Sequence, residues 1–269
     1  MPTKSTRYTT MFEALELRGE IAWIPFLMLG YPDMESSIKF IETFIEHGAD
    51  ALEIGIPFSD PVADGILIQE TARVALENGS TVGKCMEALT QIRAKHPSIP
   101  FGLLTYANLV FHPGLDRFYS QCKQAGVDSV LIADVPLKEA KLFIESAEKN
   151  AVDAIFIAPP NASNETLISL SEQQGSYTYV VSRAGVTGDN QSVEYPEVIV
   201  QSLLQNNAPA PVLGFGISKP EHISKAATFG FKGVISGSAI SRLILNNDDD
   251  LLQQLKHFSL QMKQATIAK

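Results

Sequence analysis

Cysteine is nearly missing from this chain of 269 residues, and the two present, Cys85 and Cys122, sit in helix-like segments without metal-site spacing. Free thiols in a reducing cytoplasm are the expected state. Long apolar runs are missing too. The longest, Ile21–Leu29, contains Pro25 and is far shorter than the roughly 20 residues a bilayer demands. Met1–Thr10 is polar and mixed, unlike a secretory leader. Positive charge is scarce: 21 Lys and Arg stand against 30 Asp and Glu, a net charge of −9. That balance argues against nucleic acid or an anionic membrane as the main partner. A phosphorylated small molecule stays open, because backbone N–H groups bind phosphate without Lys or Arg. No low-complexity tail or Pro-rich linker marks a boundary, so one domain over 1–269 is expected.

Three further absences narrow the chemistry. No lysine falls inside a strand-like run, which disfavours a Schiff-base mechanism. The five histidines are scattered and form no metal-ligand cluster with carboxylates. Neither a Gly-x-Ser-x-Gly elbow nor a Ser/His/Asp arrangement is present. Acid–base work by carboxylates remains.

The segment Ala51–Gly65 supplies them. Leu52, Ile54 and Ile56 make an apolar strand that carries one acid, Glu53, before a Pro/Ser/Asp/Gly loop holding Asp60 and Asp64. An unpaired charge in such a strand is heavily penalised, so Glu53 needs a reason to be there. Alternation puts it on one face with Ala51 and Gly55, whose small size leaves space beside the carboxyl. A buried ion pair is the competing explanation.

Short apolar runs recur at Ala22–Met28, Ala51–Ile56, Phe101–Tyr106, Ser129–Asp134, Ala154–Ala158, Tyr177–Ser182, Pro211–Gly216 and Gly233–Ser236. Amphipathic segments alternate with them, among them Met34–His47, Leu115–Gln124, Leu137–Lys149, Asn164–Gln173 and Lys219–Thr228. Eight such units predict an α/β fold, a closed (β/α)8 TIM barrel, in preference to an open doubly wound sheet. An extra N-terminal helix near Thr9–Leu17 is expected to cap the barrel bottom. Ile66–Lys95 exceeds one helix and predicts an added short one after strand two. In such a barrel the chemistry sits after the strand ends, and those loops hold the Gly, Ser and Asp residues. Strands seven and eight end in Gly214-Phe215-Gly216-Ile-Ser218 and Ser236-Gly237-Ser238, a candidate phosphate cup of backbone amides and the Ser238 hydroxyl. Gly188 could add one more N–H.

With these residues in place, the chain resembles the tryptophan synthase alpha subunit family. The motifs are Leu52–Gly65, Tyr106–Phe111, Tyr177–Gly188 and Gly214–Ser218, and the likeness spans almost the whole length. One departure is Ile66, where the family usually has Pro; it is expected to loosen the second loop without removing a reacting group. The resemblance implies retro-aldol cleavage of indole-3-glycerol phosphate to indole and glyceraldehyde 3-phosphate, within tryptophan biosynthesis. It maps acid–base catalysis onto Glu53, and onto Asp64 the carboxylate that accepts the indole N–H. Tyr179 is implied near Glu53. Phe26, Leu104, Tyr106, Leu131 and Ile157 are implied to line the indole slot, although core packing is the default for strand residues. Thr187, in the loop Arg183–Gln191 that is expected to act as a lid over the second loop, is implied to contact Asp64. No cofactor is implied in this chain, since pyridoxal phosphate belongs to a beta subunit. That subunit is the implied partner, as two alpha and two beta chains, docking on Pro57, Asp60, the apolar loop Asn108–Pro113 and Pro136. Two other readings are weighed: a ketose-phosphate isomerase using Glu53 as base, and a catalytically silent partner subunit.

Overall fold

Strands apolar on both faces must be covered on both, which favours a parallel sheet with helices outside. The computed structural model describes residues 5–182, 193–246 and 249–267. Its strands are β1 Ala22–Met28, β2 Leu52–Gly55, β3 Phe101–Thr105, β4 Ser129–Ile132, β5 Asp153–Ala158, β6 Tyr177–Val181, β7 Ala210–Gly214 and β8 Gly233–Ser236. They pair in chain order, all parallel, and β1 pairs with both β2 and β8. The barrel is therefore closed, and the open-sheet alternative is excluded. Every residue of β1, β2, β4 and β6 is buried.

Around it run α1 Thr6–Arg18, α2 Met34–Glu46, α3 Ile66–Glu77, α4 Val82–Lys95, α5 Ala107–Phe111 and α6 Leu115–Gln124. They are followed by α7 Lys141–Lys149, α8 Asn164–Ser171, α9 Glu197–Gln205, α10 Pro220–Thr228, α11 Ser238–Asn246 and α12 Leu251–Gln264. Three expectations need correction. Ile66–Lys95 is two full helices: Gly79, at φ +77°, stops α3, and the Thr81 side chain accepts from Lys84 N to cap α4. Leu137–Lys149 divides into a 3₁₀ turn, Leu137–Glu139, and α7. The expected loop Asn108–Pro113 mostly belongs to α5, whose last residue is Phe111.

The N-terminal helix closes the barrel bottom, as expected, but its closing residue lies one position before the expected start. Tyr8, 1% exposed, accepts a hydrogen bond from Ser129 Oγ at 3.3 Å and packs against Tyr177, ring centroids 5.6 Å apart. A Cβ on Gly102 would come within 3.0 Å of the Tyr8 hydroxyl, so glycine there makes room for it. Buried Asp128 ties the helix down, accepting from Ser5 Oγ, Arg7 Nη1, Arg93 Nη2 and Phe101 N at 2.8–2.9 Å.

Candidate active site

A cavity of about 690 Å³ opens at the C-terminal ends of the strands. Glu53 lies in its wall, 2% exposed, and its register partners are Phe26 on β1 and Gly102 on β3. Its fellow strand residues Leu52 and Ile54 are fully buried on the opposite face. The space beside Gly55 is filled by the Phe26 ring, whose Cζ would lie 2.7 Å from a Cβ there. Glu53 is not in an ion pair among the described residues, and its Oε1 has no hydrogen-bond partner there. Burial, and then the nearby Asp64 charge, push its carboxyl up to about 8, against a hydrogen bond to Tyr177 that lowers it. Leaving a buried carboxyl oxygen unmatched costs about 1–3 kcal/mol, which a bound ligand can recover.

Asp64 comes from the loop after β2 and is 6% exposed. Tyr106 Oη donates to its Oδ2 at 2.9 Å, and Gln69 Nε2 donates to its backbone carbonyl at 2.7 Å. Burial pushes its carboxyl up to about 6, with the Tyr106 bond acting the other way. Near pH 7, then, Asp64 is ionised and Glu53 protonated: one acceptor and one proton donor in one cavity.

Phe26, Leu104, Leu131, Ile157 and Tyr179 all line this cavity. Tyr106 does not; it stands behind Asp64, stacked on Phe58 at 5.2 Å, and orients the carboxylate. Gly214 is likewise not in the wall. The Tyr179 ring occupies its side-chain space, with ring atoms 2.2–2.3 Å from where a Cβ would be, so this glycine serves the tyrosine. Phe215, Gly216, Gly237 and Ser238 do line the cavity. Phe215 and Gly216 both have positive φ, +69° and +78°, which turns the chain sharply out of β7. Ser238 opens α11. Thr187, Gly188 and the lid Arg183–Gln191 lie outside the described residues.

The sequence reading missed Tyr177, although alternation puts it on the same face of β6 as Tyr179. It also missed Lys219, His222 and Arg242 at the cavity mouth. Arg242 follows Ser238 by one helical turn, a signal that was available.

The tryptophan synthase alpha chain model matches residues 12–268. The chain belongs to the tryptophan synthase alpha chain family. It is 52% identical over 264 residues to the tryptophan synthase alpha chain of Photobacterium profundum, covering 97% of this chain and 98% of that one. Among solved structures, the alpha subunit from Legionella pneumophila superposes with a TM-score of 0.88 at 28% identity, covering 97% and 98% of the two chains. The tryptophan synthase complex from Pyrococcus furiosus gives 0.81 at 31%, covering 91% and 98%.

An alpha chain implies a beta partner, and the rim residues differ in their fitness to meet one. Asp60, Asn108 and Pro136 are exposed, whereas Pro57 is buried and offers little surface, a correction to its expected interface role. Large apolar side chains stand out instead at Val62 (73% exposed), Ile66 (83%) and Phe111 (50%). Ile66 is the first residue of α3, after Gly65 as N-cap. That is the position where proline fits best, because its N–H has no helical partner to lose.

Proposed function

We propose that the alpha-chain reaction, cleavage of indole-3-glycerol phosphate to indole and glyceraldehyde 3-phosphate, runs in this cavity on Glu53 and Asp64. The observation that carries the reading is the partnerless Glu53 carboxyl oxygen in the wall of an apolar cavity that also holds Asp64. Protonated Glu53 gives its proton to indole C3, which becomes tetrahedral and leaves the ring nitrogen cationic. Ionised Asp64 accepts the indole N–H and stabilises that charge. Glu53, now a carboxylate, takes the proton of the C3′ hydroxyl. The C3–C3′ bond breaks, its electron pair returns to the ring, and an aldehyde leaves. The proton count closes on Glu53, and the indole ring is the electron sink.

Tyr179 and the aliphatic wall hold the ring, and Gly216, Gly237 and Ser238 bind the phosphoryl group with backbone amides and hydroxyl. The beta subunit, carrying pyridoxal phosphate, docks at the rim in a complex of two alpha and two beta chains, and this chain works in the cytoplasm without a cofactor of its own. The test is spectroscopic indole release. Glu53→Gln should lose at least ~10²–10⁴ in turnover, as for a positioned acid–base, and Asp64→Asn should be severely impaired. Near-normal turnover in either variant rejects that residue's role.

A further inference from the structure

We propose that Asn78 is a self-modifying site: its side-chain amide is lost by cyclisation onto the backbone nitrogen of Gly79, and the product frees the α3–α4 turn from the loop after β1. The inference goes beyond the lyase reading and does not depend on it. Of the asparagines in the chain, Asn78 alone is followed by glycine. Glycine carries no Cβ beside the attacking nitrogen, so the approach to the side-chain carbonyl carbon is open. Both residues are exposed, at the C-terminal end of α3, where water reaches them.

The step balances with water as the only co-reactant. The Gly79 nitrogen gives its proton to solvent base and bonds to Asn78 Cγ. The Cγ–Nδ2 bond breaks, and ammonia leaves with a proton taken back from solvent. Water then opens the cyclic imide at either carbonyl, leaving aspartate or isoaspartate.

Two hydrogen bonds restrain the reacting groups. The Gly79 N–H donates to the Leu76 carbonyl at 2.9 Å, and Asn78 Nδ2 donates to the Pro32 carbonyl. Both lie at a helix end on the surface, the part of a fold that opens at least cost. The Lys84 ammonium donates to the Gly79 carbonyl at 2.7 Å, and its charge favours the anionic nitrogen that attacks. The neighbouring acid, Glu77, is paired with Arg73.

The product alters how the turn is held. Two contacts join it to the loop after β1. One is the Asn78 amide on the Pro32 carbonyl; the other is Ser80, whose Oγ would lie 2.0 Å from a Cβ on Gly30 and so fills that empty space. A carboxylate at position 78 has no proton to donate to a carbonyl oxygen, and its charge is repelled there. Isoaspartate also adds a carbon to the main chain. That disrupts the closing bonds of Gly79 N–H to Leu76 and Ser80 N–H to Ala75, made with Gly79 at φ +77°.

The experiment ages the intact chain at mildly alkaline and mildly acidic pH and follows the tryptic peptide Val74–Lys84 by mass spectrometry. Digestion at acidic pH keeps the digestion itself from adding product. The amide-to-acid mass gain should build up in this peptide ahead of those holding Asn108, Asn150 and Asn206, and faster at alkaline pH. An isoaspartate-specific methyltransferase should label it. Asn78→Gln, whose longer side chain closes the ring poorly, should show no gain. Asn78→Asp should unfold at lower urea than the parent, and the aged parent should move toward it. No gain at Asn78, or an equal gain at the other asparagines, overturns the site. A gain without methylation overturns the cyclisation. Unchanged urea midpoints in both Asn78→Asp and the aged chain overturn the freeing of the turn.

Discussion

Glu53 and Asp64 show how one fold gives two carboxyl groups different proton affinities. Glu53 is fully enclosed and feels its neighbour's charge, so it holds its proton up to about pH 8. Asp64 is less enclosed and has the Tyr106 hydroxyl to support its anion, so it ionises near 6. In the proposed mechanism the competent state needs Asp64 charged and Glu53 neutral. As pH rises through about 6 the first condition is met, and as it rises through about 8 the second is lost. The kcat/KM for indole release should therefore trace a bell with its maximum near pH 7 and limbs near those two values. A rate still rising at pH 9 would show that Glu53 does not act as the proton donor. Both acids were legible in the sequence, because a carboxylate in a strand of Leu and Ile demands an explanation. The positioning roles of Tyr106 and Tyr177 were not, since nothing in a strand pattern says which aromatic hydroxyl reaches which acid.

At the level of elements, the strands and loops divide the labour. Apolar β-branched runs made the barrel legible, because their spacing stayed even and every run needed cover on both faces. What the sequence obscured were short helices with apolar faces. Asn108–Pro113 looked like a loop, and the α3–α4 break hid behind a continuous helical pattern, although Asn78-Gly79-Ser80-Thr81 carries the stop and the cap. Gly214 was misassigned for a different reason: its backbone freedom was read, while the Tyr179 ring that needs its empty side-chain space belongs to the neighbouring strand. Helix α1 is fastened through Asp128, whose side chain is 3% exposed against 12% for Arg93. Removing one partner of a buried pair leaves the other charge stranded. Asp128→Ala should cost about 3–5 kcal/mol of stability, measured by urea unfolding. The loss should spare turnover of the folded fraction, because Asp128 hydrogen-bonds at the barrel bottom and does not line the cavity.

For the whole molecule, the asymmetry between the two ends of the barrel matters most. The bottom is pinned by Tyr8 and the Asp128 network, whereas the top carries the cavity together with exposed Val62 and Ile66 in and just after the β2 loop. Large exposed apolar groups near a site mark it for contact with another chain. The beta subunit should co-elute with this chain and raise the rate of indole release, while a charged substitution such as Val62→Glu should weaken co-elution more than it harms the isolated chain. Separate elution of the two chains would reject this docking face.

The tyrosine at the foot of the barrel has a kinetic corollary. With Tyr8 buried at the lower end, the fragments of a split substrate are expected to leave at the end that holds the cavity. Once bond breaking is fast, emptying the chamber governs throughput, and whatever neighbour sits over the threshold governs the emptying.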